Sequence, residues 1–122
     1  MNIYESAEDY LEAILMIEKR KGSVHSIDIA EEKGFSKASV SVAMKKLREN
    51  GYISMDKTGQ IKLLEPGAKI AKQIYERHEL LTNFFVKLGV DYETAQNDAC
   101  KVEHDLSEKT FAKLKAFLKT VM

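Results

Sequence analysis

A chain of 122 residues with 44% hydrophobic and 31% charged side chains has the composition of a soluble globular protein and is too short for a large cofactor fold. It shows no apolar run of membrane-spanning length, no secretion signal at residues 1–5 and a single cysteine, Cys100, so we expect a cytoplasmic protein without an internal disulfide. The net charge is zero, but residues 1–32 carry three basic and eight acidic side chains and residues 33–62 carry seven basic and two acidic ones, which predicts a phosphate-facing surface beside a cation-binding one.

The first half of the chain shows three helical patterns. Residues 5–20 carry an apolar stripe at helical spacing that ends at Gly22, as in an amphipathic helix. Ser26 is a candidate cap for a short helix that Gly34 would close, and Ser36 is a candidate cap for a second helix that ends before Gly51. Two capped helices joined by a short glycine turn predict a helix-turn-helix.

A hairpin pattern follows the second of these helices. Residues 52–56 and 60–64 have the composition of short strands, and the turn between them, residues 57–59, contains a glycine. A basic hairpin directly after a helix-turn-helix predicts a wing. Residues 1–64 are therefore predicted to form a winged helix-turn-helix DNA-binding domain.

The second half is predicted to be entirely helical. Pro66 suits the first turn of a long apolar helix that reaches residue 88, and Asp91 and Ser107 are candidate caps for two further helices. Such an apolar three-helix segment would expose a large patch in isolation, so residues 65–122 are predicted to form a homodimerisation and metal-binding domain. The predicted fold class is mainly α: a winged helix-turn-helix with a short β-hairpin wing, followed by a three-helix dimerisation module.

The helix after Ser36 predicts a surface that reads double-stranded DNA. Its apolar stripe faces inward, so its other side chains, which are small, hydroxylated or basic, would enter the major groove and meet phosphates. Wing side chains would add phosphate contacts. The alternative is an ordinary solvated surface rich in serine and lysine. The candidate DNA-binding residues are Ser36, Lys37, Ala38, Ser39, Ser41, Val42, Lys45, Lys57 and Lys62, with Thr58 beside them.

Two helical clusters of ligand-type side chains predict a metal site. Asp9 and Glu12 lie one turn apart on the first helix, and Cys100, Glu103 and His104 follow the i, i+3, i+4 spacing that gathers thiol, carboxylate and imidazole on one face. His78 is a further candidate, in the long apolar helix. Each group also has an ordinary structural explanation, as a core histidine, a buried thiol or a solvated carboxylate. Their coincidence favours the metal site.

Three segments resemble the iron- and manganese-dependent repressors of the diphtheria toxin repressor and manganese transport regulator type, and the resemblance extends over residues 3–122. The segments are Ala7-Glu8-Asp9-Tyr10-Leu11-Glu12-Ala13-Ile14, Arg77-His78-Glu79-Leu80-Leu81, and Asn97-Asp98-Ala99-Cys100-Lys101-Val102-Glu103-His104-Asp105-Leu106-Ser107. The resemblance implies a dimeric repressor of metal-uptake genes that binds operator DNA when Mn(II) or Fe(II) is plentiful.

The resemblance also implies a set of metal ligands. The chain departs from the family pattern in two respects. By position, Asp9, Glu12, His78, Cys100, Glu103 and His104 match the family's metal ligands. Asp9 and Glu12 follow the manganese-type pattern, whereas Cys100 follows the iron type, where the manganese branch has a carboxylate able to bridge two ions. Since a thiolate favours softer ions, Zn(II) and Co(II) are further candidates. The small C-terminal barrel of longer relatives is expected to be absent.

Two other functions are compatible with parts of the pattern. A winged-helix regulator independent of metal, responding to a small organic effector or a protein partner, would use the same DNA-binding half. An enzyme with Cys100 as nucleophile and His104 as base would need an orienting group and an oxyanion hole, for which the sequence offers no pattern. The sequence therefore predicts a regulator and not an enzyme.

Overall fold

The computed structural model describes residues 5–121, so residues 1–4, on which the expectation of no secretion signal largely rests, and residue 122 lie outside the described residues. The two predicted domains each include some of these terminal positions. In residues 5–121 the elements follow the order α1 (Glu5–Lys21), α2 (Ser26–Lys33), α3 (Lys37–Glu49), β1 (Ile53–Met55), β2 (Ile61–Leu63), α4 (Glu65–Lys87), α5 (Tyr92–Val102) and α6 (Glu108–Val121). The predicted class, mainly α with one β-hairpin, is confirmed.

The chain forms two compact units, Met1–Lys72 and Gln73–Met122, whose boundary falls within α4. In the first unit α1 packs against α2, α3 and β2. The apolar stripe predicted from residues 5–20 faces this core, because its members at i, i+3 and i+4 lie on one side of the helix. The fully buried side chains of the first unit include Leu11, Ile14, Ile17, Val24, Ile29, Val40, Ile53 and Ile61.

The helix-turn-helix forms as predicted, apart from its first cap. Gly34 adopts the left-handed conformation (φ 70°) that ends α2, and Ser36 Oγ accepts a hydrogen bond of 3.1 Å from the Ser39 N–H at the start of α3. The predicted cap at Ser26 is wrong, because Ser26 is already helical. His25 is the N-cap, and its backbone N–H donates to Asp28 Oδ2 at 2.9 Å.

The wing is a two-stranded antiparallel hairpin in which Ile53 pairs with Leu63 and Met55 with Ile61. The strands are shorter than predicted because Asp56 belongs to the turn: its Oδ1 accepts hydrogen bonds from the Thr58 N–H, the Thr58 hydroxyl and the Gln60 N–H. At the start of β2, next to the turn, the Ile61 N–H donates to the Val24 carbonyl at 2.7 Å. The hairpin is thus fixed both at its turn and to the segment that precedes α2.

The start of α4 approaches the hairpin closely at Gly67. A Cβ at Gly67 would lie 2.2 Å from the carbonyl oxygen of Tyr52, far inside van der Waals contact. Glycine is therefore required here by close approach and not by a left-handed backbone.

The second unit contains the rest of α4 with α5 and α6. Asp91 and Ser107 cap α5 and α6 as predicted, accepting hydrogen bonds from the N–H groups of Thr94 (3.0 Å) and Thr110 (3.1 Å). The buried side chains of α6 are Phe111 and Leu118. Other large apolar side chains of this unit are 41% to 65% exposed, namely Val86, Leu88, Tyr92, Phe117 and Val121. In the described part of the chain, no helix is long and apolar enough to cross a lipid bilayer.

Candidate DNA interface and metal centre

The helix α3 presents two chemically different faces. Val40, Met44 and Leu47 are buried. The side chains predicted to enter a major groove are all exposed, and Val42 has 57% of its surface in contact with solvent although it is apolar. The exposed face consists of Lys37, Ala38, Ser39, Ser41, Val42 and Lys45.

The beginning of α3 is suited to bind phosphate. The first N–H groups of a helix lack intrahelical acceptors and carry the positive end of the helix dipole. Ser36 and Ser39 are exposed here, and the Ser36 hydroxyl donates to Ser39 Oγ at 2.9 Å. On the wing, Lys57, Thr58 and Lys62 are also exposed. All predicted DNA-binding side chains are therefore accessible to a ligand.

An aromatic pair connects α1 to the turn before α3. The rings of Tyr10 and Phe35 meet edge to face with centroids 5.6 Å apart, and burial raises the pKa of the Tyr10 phenol. Phe35 remains 43% exposed. The pair borders a surface groove of about 450 Å³ that is also lined by Asp9 and Ser36. A predicted metal ligand of α1 and the cap of α3 thus lie on one groove within the first unit.

The two acidic side chains predicted as ligands on α1 differ in exposure. Asp9 is half-buried, whereas Glu12 is only 3% exposed. They are one turn apart on the same helix, as their spacing requires. A carboxylate is seldom buried without a compensating partner or cation, so the buried position of Glu12 requires one or the other.

The second unit brings together His78, Glu103 and His104. His78 Nδ1 lies 2.9 Å from Glu103 Oε2, and His104 Nε2 lies 3.5 Å from Glu103 Oε1. The Glu103 side chain is completely buried, and those of His78 and His104 are 13% and 1% exposed. The sequence places Cys100 one turn before Glu103, and the structure leaves it half-buried as a free thiol.

The environment of Glu103 fits a metal ion. Its Oε1 is buried and forms no hydrogen bond among the described residues, with His104 Nε2 3.5 Å away. A buried carboxylate oxygen without a hydrogen bond costs about 1–3 kcal/mol or more, and a divalent cation would remove this cost. Imidazole, carboxylate and thiol groups are together a donor set typical of transition-metal sites.

Two residues beside these sites escaped the sequence analysis. Arg77 Nη1 donates hydrogen bonds to the carbonyl oxygens of Glu103 (3.0 Å) and Leu106 (2.6 Å), across more than 25 positions in the chain. Phe35 meets Tyr10 across a similar separation. The only sequence signal was an aromatic residue directly after the turn glycine, and an arginine directly before a predicted ligand.

Comparison with known proteins places both halves of the chain in one family. Residues 2–61 match the domain described as "Iron dependent repressor, N-terminal DNA binding domain", and residues 64–122 match "Iron dependent repressor, metal binding and dimerisation domain". The chain is similar to an HTH-type transcriptional regulator of Methanocaldococcus jannaschii, at 35% identity over 93% of each chain. It is also similar to the HTH-type transcriptional regulator MntR of Bacillus subtilis, at 39% identity over 84% of this chain and 72% of MntR.

Solved structures agree with these sequence matches. A manganese-dependent transcriptional repressor in complex with manganese superposes with a TM-score of 0.84 at 30% identity, over 93% of this chain and 52% of that one. The chain spans about half the length of three manganese- or metal-dependent regulators of known structure that it resembles, between 52% and 55% of each. These relatives are regulators, which argues against the enzyme that Cys100 and His104 could suggest.

Proposed function

Because this chain belongs to the iron-dependent repressor family, we propose that it is a metal-dependent transcriptional repressor that binds operator DNA as a homodimer when Mn(II) or Fe(II) is bound. The observation that carries the proposal is Glu103, a fully buried carboxylate held between His78 and His104. A cytoplasmic location follows from this role. The regulated genes would be those of Mn or Fe uptake.

DNA binding is assigned to residues 1–64, which lie within the first unit. The exposed face of α3 would read base edges: serine hydroxyls would reach donors and acceptors, and Ala38 or Val42 would pack on thymine methyl groups. Lys37 and Lys45, the N-terminus of α3 and the wing would contact phosphates. Support comes from the exposure of all these side chains and from the net positive charge of residues 33–62.

Dimerisation is assigned to residues 65–122. The large apolar side chains exposed in the second unit, such as Leu88 at 65% and Val121 at 60%, form the kind of surface that a second copy covers. A dimer places two α3 helices on one DNA duplex. Their separation must match half-sites one helical turn apart, about 34 Å, or a multiple of it.

The metal ligands are proposed to come from both ends of the chain: Asp9 and Glu12 from α1, and His78, Cys100, Glu103 and His104 from the second unit. When bound, the cation would supply the positive charge that lets these carboxylates share one site. Because α1 packs against α3, holding the α1 carboxylates would restrict the position of α3 in the dimer. The ligands must be better arranged in the DNA-competent geometry than in the others for binding to shift the population.

The choice of metal depends on Cys100. A thiol among oxygen and nitrogen donors favours Fe(II), Co(II) or Zn(II), while the carboxylates still accept Mn(II). A thiol also replaces the carboxylate that could bridge a second ion. We therefore propose one ion per subunit.

The test starts by selecting a binding duplex from a random pool in the presence of Mn(II). Fluorescence anisotropy of that duplex is then measured anaerobically with Mn(II), Fe(II), Zn(II) or chelator. We expect binding with metal that the chelator abolishes. Adding metal should no longer increase DNA binding by the Glu12→Gln and His104→Ala variants. Glu18→Gln changes an exposed acid on α1, the helix that carries Glu12, and this variant should bind DNA with metal as wild type does. Equal binding with chelator would favour the regulator that responds to an organic effector or a protein partner.

A further inference from the structure

We propose that Arg77 is a positioning residue that prearranges the metal ligands of the second unit by clamping the turn that carries them. This inference rests on the proposed metal site at Glu103 and His104. It concerns the backbone of that site, which none of the ligand side chains can fix alone.

The clamp is built from three contacts of one guanidinium group. Arg77 Nη1 donates to the Glu103 carbonyl at 3.0 Å and to the Leu106 carbonyl at 2.6 Å. The guanidinium carbon lies 5.0 Å from the ring centroid of Phe111, in the first turn of α6. Arg77 therefore ties α4 to the end of α5, to the turn that follows and to the start of α6.

The position of this turn explains why a cation is needed there. Glu103 is the C-terminal cap of α5, so the carbonyls around it lack intrahelical donors and carry the negative end of the helix dipole. A planar guanidinium can serve two such carbonyls while its face stacks on an aromatic ring, which an ammonium group cannot do.

Two consecutive residues of α4 contact Glu103, one at its backbone carbonyl and the other at its side-chain carboxylate. Arg77 binds the Glu103 backbone oxygen, and His78 binds its carboxylate Oε2 at 2.9 Å. Both Arg77 hydrogen bonds to the turn go to main-chain oxygens, so they leave carboxylate Oε1 available to a cation. The backbone that presents Glu103 and His104 is thus fixed before metal binds, which lowers the ordering cost of binding.

The direction in which metal affinity changes when Arg77 is replaced distinguishes a positioning role from a purely electrostatic one. A guanidinium group repels a nearby divalent cation, so removing its charge would by itself tighten metal binding. Loss of a clamp would instead weaken binding, since the metal would have to order the turn. Phe111 gives a second way to loosen the clamp without changing any charge.

The experiment is an anaerobic titration with Co(II), a spectroscopic substitute for Mn(II) or Fe(II), followed by visible absorption. We expect Arg77→Met to raise the Kd about tenfold or more and to change the band intensities. Arg77→Lys should fall between it and wild type. Arg20→Met, which removes an exposed arginine from an ion pair in the first unit, should match wild type.

An Arg77→Met variant that binds Co(II) as tightly as wild type, or more tightly, would overturn the clamp. Thermal melts of the metal-free proteins identify any variant that does not fold. In that case Phe111→Leu decides: a several-fold weaker Kd supports the clamp, and an unchanged Kd and spectrum refute it. If wild type gives no saturable Co(II) spectrum, the proposed metal site itself fails and the role of Arg77 fails with it.

Discussion

The two proposed binding surfaces differ in how their side chains are held. The exposed face of α3 is proposed to bind DNA, and the His78–Glu103–His104 cluster is proposed to bind metal. The α3 side chains are solvated and small, so each would contribute a modest, separable share of DNA binding. The cluster is buried, and the partners of each group are fixed within the protein. Its members therefore act as a unit, and loss of one should be far more damaging than loss of one α3 contact.

Glu103→Gln should have the largest effect. The amide keeps the size of the side chain and a hydrogen bond to His78 but removes the negative charge, so the metal-free fold should be retained. We expect the Kd for Mn(II) or Co(II) to rise at least to the upper end of the tenfold to about 100-fold range seen when groups supporting a metal site are lost. Calorimetric titration measures this. A Kd within a factor of three of wild type would show that the buried cluster is no more sensitive than the α3 face.

Gly67→Ala asks whether the first unit contains a similarly intolerant position. The new Cβ would meet the Tyr52 carbonyl at 2.2 Å, so α4 or the hairpin must shift, at a cost of about 1–3 kcal/mol. Urea unfolding should show this loss. Helix propensity alone predicts a free energy of unfolding that is higher by about 1 kcal/mol, the opposite change. The variant Ala112→Gly, on the exposed side of α6, measures the size of this helix-propensity contribution. A Gly67→Ala variant as stable as wild type would contradict the close approach.

Lys45→Ala tests the additive character of the α3 face. Loss of one phosphate contact should weaken DNA binding several-fold and reduce the slope of log K against log salt by about 0.9. Metal affinity should not change. Anisotropy titrations at several salt concentrations measure the slope, and Lys113→Ala on α6, also exposed, is the matched control. An unaltered slope would remove Lys45 from the interface.

Asp28→Asn should give the smallest effect, at the cap of α2. A hydrogen bond from Lys21 and another from the His25 N–H lower the pKa of the Asp28 carboxyl. A lowered carboxyl pKa stabilises the folded protein above the ordinary aspartate range, and this contribution is lost as the pH falls through the lowered value. Wild type should therefore melt slightly higher than Asp28→Asn at neutral pH, and the two should converge in acid. A difference that persists in acid would exclude this ionisation as its cause.

Local signals in the sequence predicted most of the fold. Ser36, Asp91 and Ser107 lie where their hydroxyl or carboxylate oxygens cap the following helix, and the glycine in residues 57–59 lies in the turn of a real hairpin. The failure at Ser26 is instructive. Serine favours caps in general, but here the His25 N–H donates to the carboxylate of Asp28 three residues later, and that arrangement decides where α2 begins.

Contacts across long stretches of chain could not be predicted in this way. Helical spacing grouped Glu103 with His104, yet nothing local shows that Arg77 reaches the carbonyls of Glu103 and Leu106. Likewise, glycine at position 67 has no turn to explain it until Tyr52 is found beside it. Such contacts depend on the tertiary arrangement, which single-sequence patterns do not encode.

The attachment of the wing has a consequence for protein engineering. Its turn is held by the three hydrogen bonds that Asp56 accepts, and the start of β2 is held by the bond from the Ile61 N–H to the Val24 carbonyl. Two of the three bonds to Asp56 come from the main-chain N–H groups of Thr58 and Gln60, so they do not depend on the side chains at Lys57 and Thr58. Residues grafted onto the turn from another regulator should therefore leave the register of the hairpin unchanged. If the wing contacts DNA as proposed, they would alter the preference for flanking DNA.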